Sequence, residues 1–243
     1  MNEYTILGNL YNRLNKDCDY LQWSQYLNSL LKANGITNGL GLDLACGSGE
    51  ITLQMAKLGH NMIGLDVSIE MLNAATSLSR AQNVDIPFIL SDMSVFKSNN
   101  KADFITVVND GVNYIKPINL KKTLKNFYNN LKDGGVLLFD ISSKYKLEKI
   151  LANNIFFEDY EDLTYIWQNT LNKNAVVLDL TFFIKQDNLF KRYYEQHTQY
   201  VYEANDILEN LKHVGFKNYK AVKFLKFCEP KDLDERIQFI AVK

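Results

Sequence analysis

Three carboxylates stand where short apolar runs end: Asp43 just before Ala45-Cys46-Gly47-Ser48-Gly49, Asp66 after Met62-Ile63-Gly64-Leu65, and Asp92 after Phe88-Ile89-Leu90-Ser91. Glycines between a buried strand and a helix let a ligand approach the backbone closely, and the helix N-terminus adds unpaired N–H groups. A Gly-x-Gly turn of this kind serves dinucleotides and other ligands alike, so its surroundings must decide. A dinucleotide fingerprint asks for a third glycine where this chain has Thr52, and it lays a pyrophosphate over the loop, where Asp43 would repel it. An acid there suits a ligand with positive charge and no phosphate. Asp66 lies where a carboxylate reaches a ribose diol in such sheets. Asp92 is placed to accept a hydrogen bond from an adenine amino group, with Met93 against the ring.

Positioning these groups requires a parallel sheet. The chain repeats a short apolar run, a turn with an acid or glycine, and a helical pattern, the signature of strands joined by crossover helices. Strands are expected at 41–45, 62–66, 88–91, 104–109 and 136–141, the last entered through Asp133-Gly134-Gly135, and helices at 50–58, 69–81 and 120–131. Ser68 suits the N-cap of the second of these helices, with Glu70 in its first turn where a negative charge favours the dipole. Ahead of them, Leu21, Trp23, Leu27, Leu30 and Leu31 recur at a helical period that Asn34-Gly35 ends. After residue 150 the pattern changes: 163–170, 175–185 and 190–202 read as an antiparallel meander, followed by a helix at 205–213 and strands at 219–227 and 236–242. The expected organisation is 1–150 for an N-terminal helical cap and ligand-binding core, 151–203 for an inserted meander, and 204–243 for completion of the core.

Over about residues 36–142 the chain resembles the class I S-adenosylmethionine-dependent methyltransferases of the small-molecule, N-methyltransferase-like type. The resemblance rests on Asp43-Leu44-Ala45-Cys46-Gly47-Ser48-Gly49, on Gly64-Leu65-Asp66-Val67-Ser68-Ile69-Glu70-Met71-Leu72, and on Ser91-Asp92-Met93. S-adenosyl-L-methionine carries an ammonium and a sulfonium and no phosphate, as an acid beside the loop asks. The resemblance implies an α/β fold, a Rossmann-like seven-stranded mixed sheet with helices on both faces, an antiparallel last strand and an inserted antiparallel β meander. It implies that Asp43, Ala45, Gly47 and Gly49 hold the methionine moiety, that Asp66 binds ribose, and that Val67 and Met71 flank the adenine beside Asp92 and Met93. Asp103 to Asp110 resembles the family's fourth strand, whose end faces the reacting methyl group, so Asn109 is expected on the cofactor and Asp110 on the substrate. Tyr11-Asn12-Arg13-Leu14 and Asp19-Tyr20-Leu21-Gln22-Trp23 resemble the N-terminal segment that folds over the cofactor in small-molecule methyltransferases. Asn12 stands where an acid is common, which leaves Tyr11 as a catalytic candidate and Tyr20 and Trp23 as cofactor contacts. Core packing of one helix face is the plain alternative for the last two.

Between Phe156 and Tyr202 lie 12 of the chain's 30 aromatic residues, so this stretch has a use for them beyond an even spread. Alternation sets Arg192, Tyr194, Gln196, Thr198 and Tyr200 on one face of a strand and Tyr193, Glu195 and His197 on the other. Sugar and amine N-methyltransferases cover their pocket with an antiparallel sheet, so one face is expected to roof the acceptor, with Tyr194 and Tyr200 as substrate contacts. His197 is the histidine with a catalytic reading. A homodimer interface is the other use for such aromatics.

Composition narrows the partners. Lys and Arg number 27 against 28 Asp and Glu, a net charge of −1, which lacks the field that draws a polyanion and makes nucleic acid a poor partner. Cys18, Cys46 and Cys228 are far apart with no CxxC pair, so no metal site is expected. The first ten residues lack a leader pattern and no apolar run is of bilayer length, which points to the cytoplasm and away from a membrane. The expected function is in-line transfer of a methyl group to N or O of a small-molecule acceptor. A non-catalytic S-adenosylmethionine-binding regulator and a methyltransferase acting on RNA or protein are the alternatives.

Overall fold

The computed structural model describes residues 18–243. In chain order its elements are α1 (Tyr20–Ala33), β1 (Leu40–Leu44), α2 (Glu50–Lys57), β2 (Asn61–Asp66), α3 (Ile69–Ala81), β3 (Phe88–Leu90), β4 (Ala102–Val107), a 3-10 turn (Gly111–Tyr114), α4 (Pro117–Asn130), β5 (Leu131–Ser142), a π-helical turn (Lys146–Leu151), β6 (Ile155–Asp159), β7 (Leu163–Asn172), β8 (Ala175–Gln186), β9 (Leu189–Tyr200), α5 (Ala204–Val214), β10 (Lys217–Lys223) and β11 (Arg236–Val242). Local signals explain several boundaries. The Ser68 hydroxyl accepts the Met71 N–H at the start of α3, and Pro117 opens α4 three residues before the expected start, its fixed φ and missing N–H costing nothing there. Gly215, at φ +111°, closes α5.

The large sheet runs β10-β11-β5-β4-β1-β2-β3. Strands β1 to β5 are parallel, and β11 lies antiparallel between β5 and β10. Such strands are buried on both faces and need helices on each. In β5, Leu137, Phe139 and Ile141 pack towards α4 and α5, whereas Val136 and Leu138 join the core under α1 and α2. Strand order reverses between β1 and β4, which opens a crevice over their carboxyl ends.

A second sheet runs β6-β7-β8-β9. The expected three-stranded meander is corrected to four strands: β6 pairs antiparallel with β7, Phe156 opposite Trp167. Its five residues, Ile-Phe-Phe-Glu-Asp, carry no clean alternation that would have marked them. The buried face of β8 is Val176, Leu178, Leu180 and Phe182, and the register sets Gln199, His197, Glu195 and Tyr193 of β9 beside them. Leu147 and Leu151 of the π-helical turn pack against Val176 and Leu178. Among the described residues no helix is long and apolar enough to cross a membrane.

Candidate active site

A cleft of about 310 Å³ lies over the carboxyl ends of β1 to β4. One wall is the glycine loop. Ala45, Gly47 and Gly49 take φ of +57°, +53° and +78°, so the loop turns through conformations that disfavour a side chain. Gly47 faces the cleft, where an added Cβ would meet only the Met71 sulfur at 4.0 Å. Gly49 faces away, and a Cβ there would come within 2.8 Å of the Ala75 Cβ on α3. The expectation that Gly49 touches a ligand is therefore corrected: it is absent from the cleft wall and lets α2 pack closely on α3.

Asp66 is the hinge of this wall. Its carboxylate accepts the Gly47 N–H at 2.8 Å on one oxygen and the Ser68 N–H at 2.9 Å on the other. Burial pushes its carboxyl pKa up, and the N–H groups of Ser68, Gly47 and Val67 pull against that shift. With three N–H groups on a carboxylate of about four lone-pair sites, acceptor capacity remains for a hydroxyl in the cleft. Val67, Met71, Asp92 and Met93 complete this end, and Asp92 accepts the Ser94 N–H at 2.7 Å.

Asp43 departs from expectation. It is fully buried behind the loop, outside the cleft wall, with its oxygens accepting from Thr52 at 2.5 Å and Thr106 at 2.7 Å. Burial pushes its pKa up to about 6 against those two hydroxyls. It sits behind the glycine loop, with its side chain outside the lining of the cleft. Thr52, where a dinucleotide loop has glycine, is thereby the partner of the buried acid. Glu50, at the start of α2, also lines the cleft, and burial raises its pKa. The charged side chains lining the cleft are Glu50, Asp66 and Asp92, with no lysine, arginine or histidine among the described lining residues.

The opposite wall is the turn after β4, with Asn109, Gly111 and Tyr114 in it. Asn109 and Asp110 are consecutive left-handed residues, φ +56° and +54°, a conformation that costs roughly 1–2 kcal/mol for a typical side chain and less for Asn or Asp. The Asp140 carboxylate, buried at the end of β5, accepts both their N–H groups at 2.8 and 3.0 Å. Arg236 donates to Asp140, to Asn109 Oδ1 at 3.2 Å and to Asp110 Oδ1 at 3.1 Å. Its guanidinium also sits over the rings of Trp23, at 5.3 Å, and Phe224, at 5.5 Å.

Two further expectations are corrected here. Trp23 is buried edge-on against Phe224, ring centroids 4.8 Å apart, and stays out of the cleft, whereas Tyr20 lines it. Asp110 is also outside the wall, held between Arg236 and Gln199, whose amide donates to it at 2.5 Å.

On β9 the inward face is Tyr193, Glu195, His197 and Gln199 rather than the tyrosine face. Tyr194 is 41% exposed and donates to Asp179 on the outer side. Tyr200 packs at the strand end on the main core, its carbonyl accepting from Asn113. Neither is in the cleft wall. His197 is buried beside Glu195, Nε2 to carboxylate 3.3 Å, with its ring edge-on to Tyr114 at 6.2 Å. Tyr114 thus separates this pair from the cleft. Tyr11 lies outside the described residues.

The side chains that sequence reasoning missed are Glu50, Tyr114, Asp140 and Arg236. Asp140 repeats the strand-end acid pattern on a fifth strand and was open to the same reading. Arg236 carries no local signal, because its partners lie as far as 127 residues away.

A family model described as a methyltransferase domain matches residues 42–135. The putative methyltransferase YqeM of Bacillus subtilis (strain 168) is 31% identical over 245 residues, covering 99% of this chain and 97% of that protein. A crystal structure of an S-adenosylmethionine-dependent methyltransferase from Clostridium acetobutylicum ATCC 824 is similar at TM-score 0.88 and 32% identity over 98% of each chain. The sugar N-methyltransferase KedS8 from Streptoalloteichus sp. ATCC 53650 shares the fold at TM-score 0.79 and 16% identity, over 97% of this chain and 92% of that one.

Proposed function

This chain belongs to the S-adenosylmethionine-dependent methyltransferases, and we propose that it methylates a nitrogen or oxygen of a small molecule held beneath the small sheet. The observation that carries the acceptor reading is the buried polar face of β9, Glu195, His197 and Gln199, closing over the turn that forms one cleft wall. A roofed cleft takes a small ligand and excludes a duplex or a folded partner.

The residues present fit the cofactor. S-adenosyl-L-methionine supplies an electrophilic methyl group on a sulfonium, and the acidic lining suits that cation, as it would not suit a pyrophosphate. The open space in front of Gly47 is room for a ligand against the backbone. In this reading Asp66 holds the ribose hydroxyls and Val67, Met71 and Met93 flank the adenine, with Asp92 on its amino group. Ala45 and Gly47 bind the methionine moiety, and Tyr20 and Asn109 close the methyl end. Tyr11 and His197 are the candidates for the proton that an amine or hydroxyl acceptor must lose, His197 from behind Tyr114 rather than by direct contact with the acceptor. The rest of the work is orientation and exclusion of water by the 151–203 segment.

The free thiols of Cys18, Cys46 and Cys228 fit the reducing cytosol. Phe157, Ile166 and Tyr194, exposed on the outward face of the small sheet, are the proposed surface of a homodimer; a monomer in sedimentation velocity at all concentrations would remove that proposal. The functional test is a screen of small amines and hydroxy compounds with methyl-labelled S-adenosylmethionine. Labelled small products are expected, whereas label entering only RNA or protein would redirect the acceptor reading.

A further inference from the structure

We infer that Arg236 is a positioning residue for methyl transfer, holding from the last strand the turn after β4 in the shape that completes the cleft. This rests on the reading of the cleft as the S-adenosylmethionine site. Two consecutive non-glycine residues at positive φ do not hold that shape unaided. Asp140 holds it by accepting both backbone N–H groups, which needs an ionised carboxylate. Full burial works against that charge, and the Arg236 guanidinium beside it works in its favour.

The planar fork matters. One guanidinium reaches Asp140, Asp110 and Asn109 together while lying over Trp23 and Phe224, and a lysine ammonium has neither the span nor the flat face for that set. Gln199 of the small sheet donates to the other oxygen of Asp110, so the same node fixes the cover over the site. The turn faces the glycine loop across little more than one methyl group: a Cβ on Gly111 would reach ordinary contact with the Ala45 Cβ, at 3.4 Å. Asn109 and Gly111 of the turn line the same cleft as Ala45 and Gly47, so the turn's shape sets the width of that end. The far end of the cleft, built on Asp66 and Asp92, has its own local hydrogen bonds and does not depend on Arg236.

The test compares wild type with Arg236→Lys by amide hydrogen exchange over 108–112 and by calorimetry with S-adenosylhomocysteine and with adenosine, which lacks the amino-acid arm. Unliganded wild type is expected to protect the Asn109 and Asp110 amides. Arg236→Lys should melt near the wild type yet exchange these amides at least about tenfold faster. It should bind S-adenosylhomocysteine about tenfold more weakly, with adenosine affinity within about threefold. Should the lysine variant fail to fold, Arg236→Gln, whose amide can still donate to Asp140 but lacks the charge and the fork, takes its place in the same comparison with both acceptor oxygens of Asp140 kept. A folded variant with wild-type exchange and wild-type S-adenosylhomocysteine affinity overturns the inference, as does unprotected exchange in the wild type. Equal weakening of both ligands also overturns it, because that is general loosening rather than positioning. Failure of the wild type to bind S-adenosylhomocysteine at all is a different result, which removes the reading of the cleft itself.

Discussion

On the side of the cleft built by β1 to β3, the polar groups that line it are held by near neighbours in the chain, whereas on the side of β4 and β9 they are held by partners up to 127 residues away. Asp66 is fixed by Ser68 two residues on and Gly47 nineteen back and Asp92 by Ser94 two on, while Asp43 is shared between Thr52 nine on and Thr106 of β4, 63 on. Asn109 and Asp110 instead depend on Asp140, Arg236 and Gln199, from three other strands. The second wall takes its partners from strands spread to the end of the chain. A cofactor common to many acceptors suits the first kind of wall, and a pocket tuned to one acceptor suits the second.

The largest effect expected on the local wall comes from its glycines. Gly49→Ala combines a left-handed φ with a Cβ 2.8 Å from Ala75, so denaturation should show a loss of roughly 2–4 kcal/mol. Gly47→Ala, with open space before it, should lose only about 1 kcal/mol of stability and instead weaken S-adenosylhomocysteine in calorimetry. Equal stability losses would break the division between packing and ligand glycines.

Asp66→Ala should cost ten- to a hundredfold in S-adenosylhomocysteine affinity, about 1.5–3 kcal/mol for charge-assisted hydrogen bonds lost. Unchanged affinity would move the ribose elsewhere.

Asp43 sharpens the contrast through pH. Its folded pKa of about 6 lies above its ordinary value of 3.8, so between the two the native state binds more protons than the unfolded chain. Its contribution to stability therefore falls as pH rises from about 4 to about 6 and is flat above. Asp43→Asn, able to pair with both threonine hydroxyls, should remove about 3 kcal/mol of that decline, read by chemical denaturation across the range. Asp66 and Asp140 shift the same way, so a smaller decline should persist. A slope identical to wild type would place Asp43 in a more solvated setting.

The smallest effect on the cofactor should come from β9. His197→Gln should cut turnover of any acceptor found while leaving S-adenosylhomocysteine affinity within about threefold, roughly 0.65 kcal/mol. Tyr194→Phe, on the outward face, should change neither. Full turnover in His197→Gln would retire the proton-acceptor role.

What was legible in the sequence follows the same line. The glycine loop, Asp66, the Ser68 cap and the strand-end acids are local patterns, and the parallel sheet followed from them. Asp43 was placed correctly on β1 but expected in the cleft wall, from which its side chain is turned away to Thr52 and Thr106, since sequence cannot tell which face a strand-end acid turns to. The face of β9 was ambiguous for a related reason. Its alternation offers two faces, and only the register with β8, where Val176, Leu178, Leu180 and Phe182 form the buried row, selects the one with Glu195 and His197. Trp23 has helical spacing that serves the core and the cofactor equally well. Arg236 needed the closed fold.

The most direct test of the two-wall account is a crystal structure with S-adenosylhomocysteine bound. The expected result has the ribose hydroxyls on Asp66, the adenine between Val67 and Met93, and the sulfur turned towards Asn109 and Tyr114 beneath the Glu195–His197 face of β9. A ligand whose sulfur end points away from β9, or whose ribose sits at the β4 turn, would contradict the assignment of cofactor to the local wall and acceptor to the distant one.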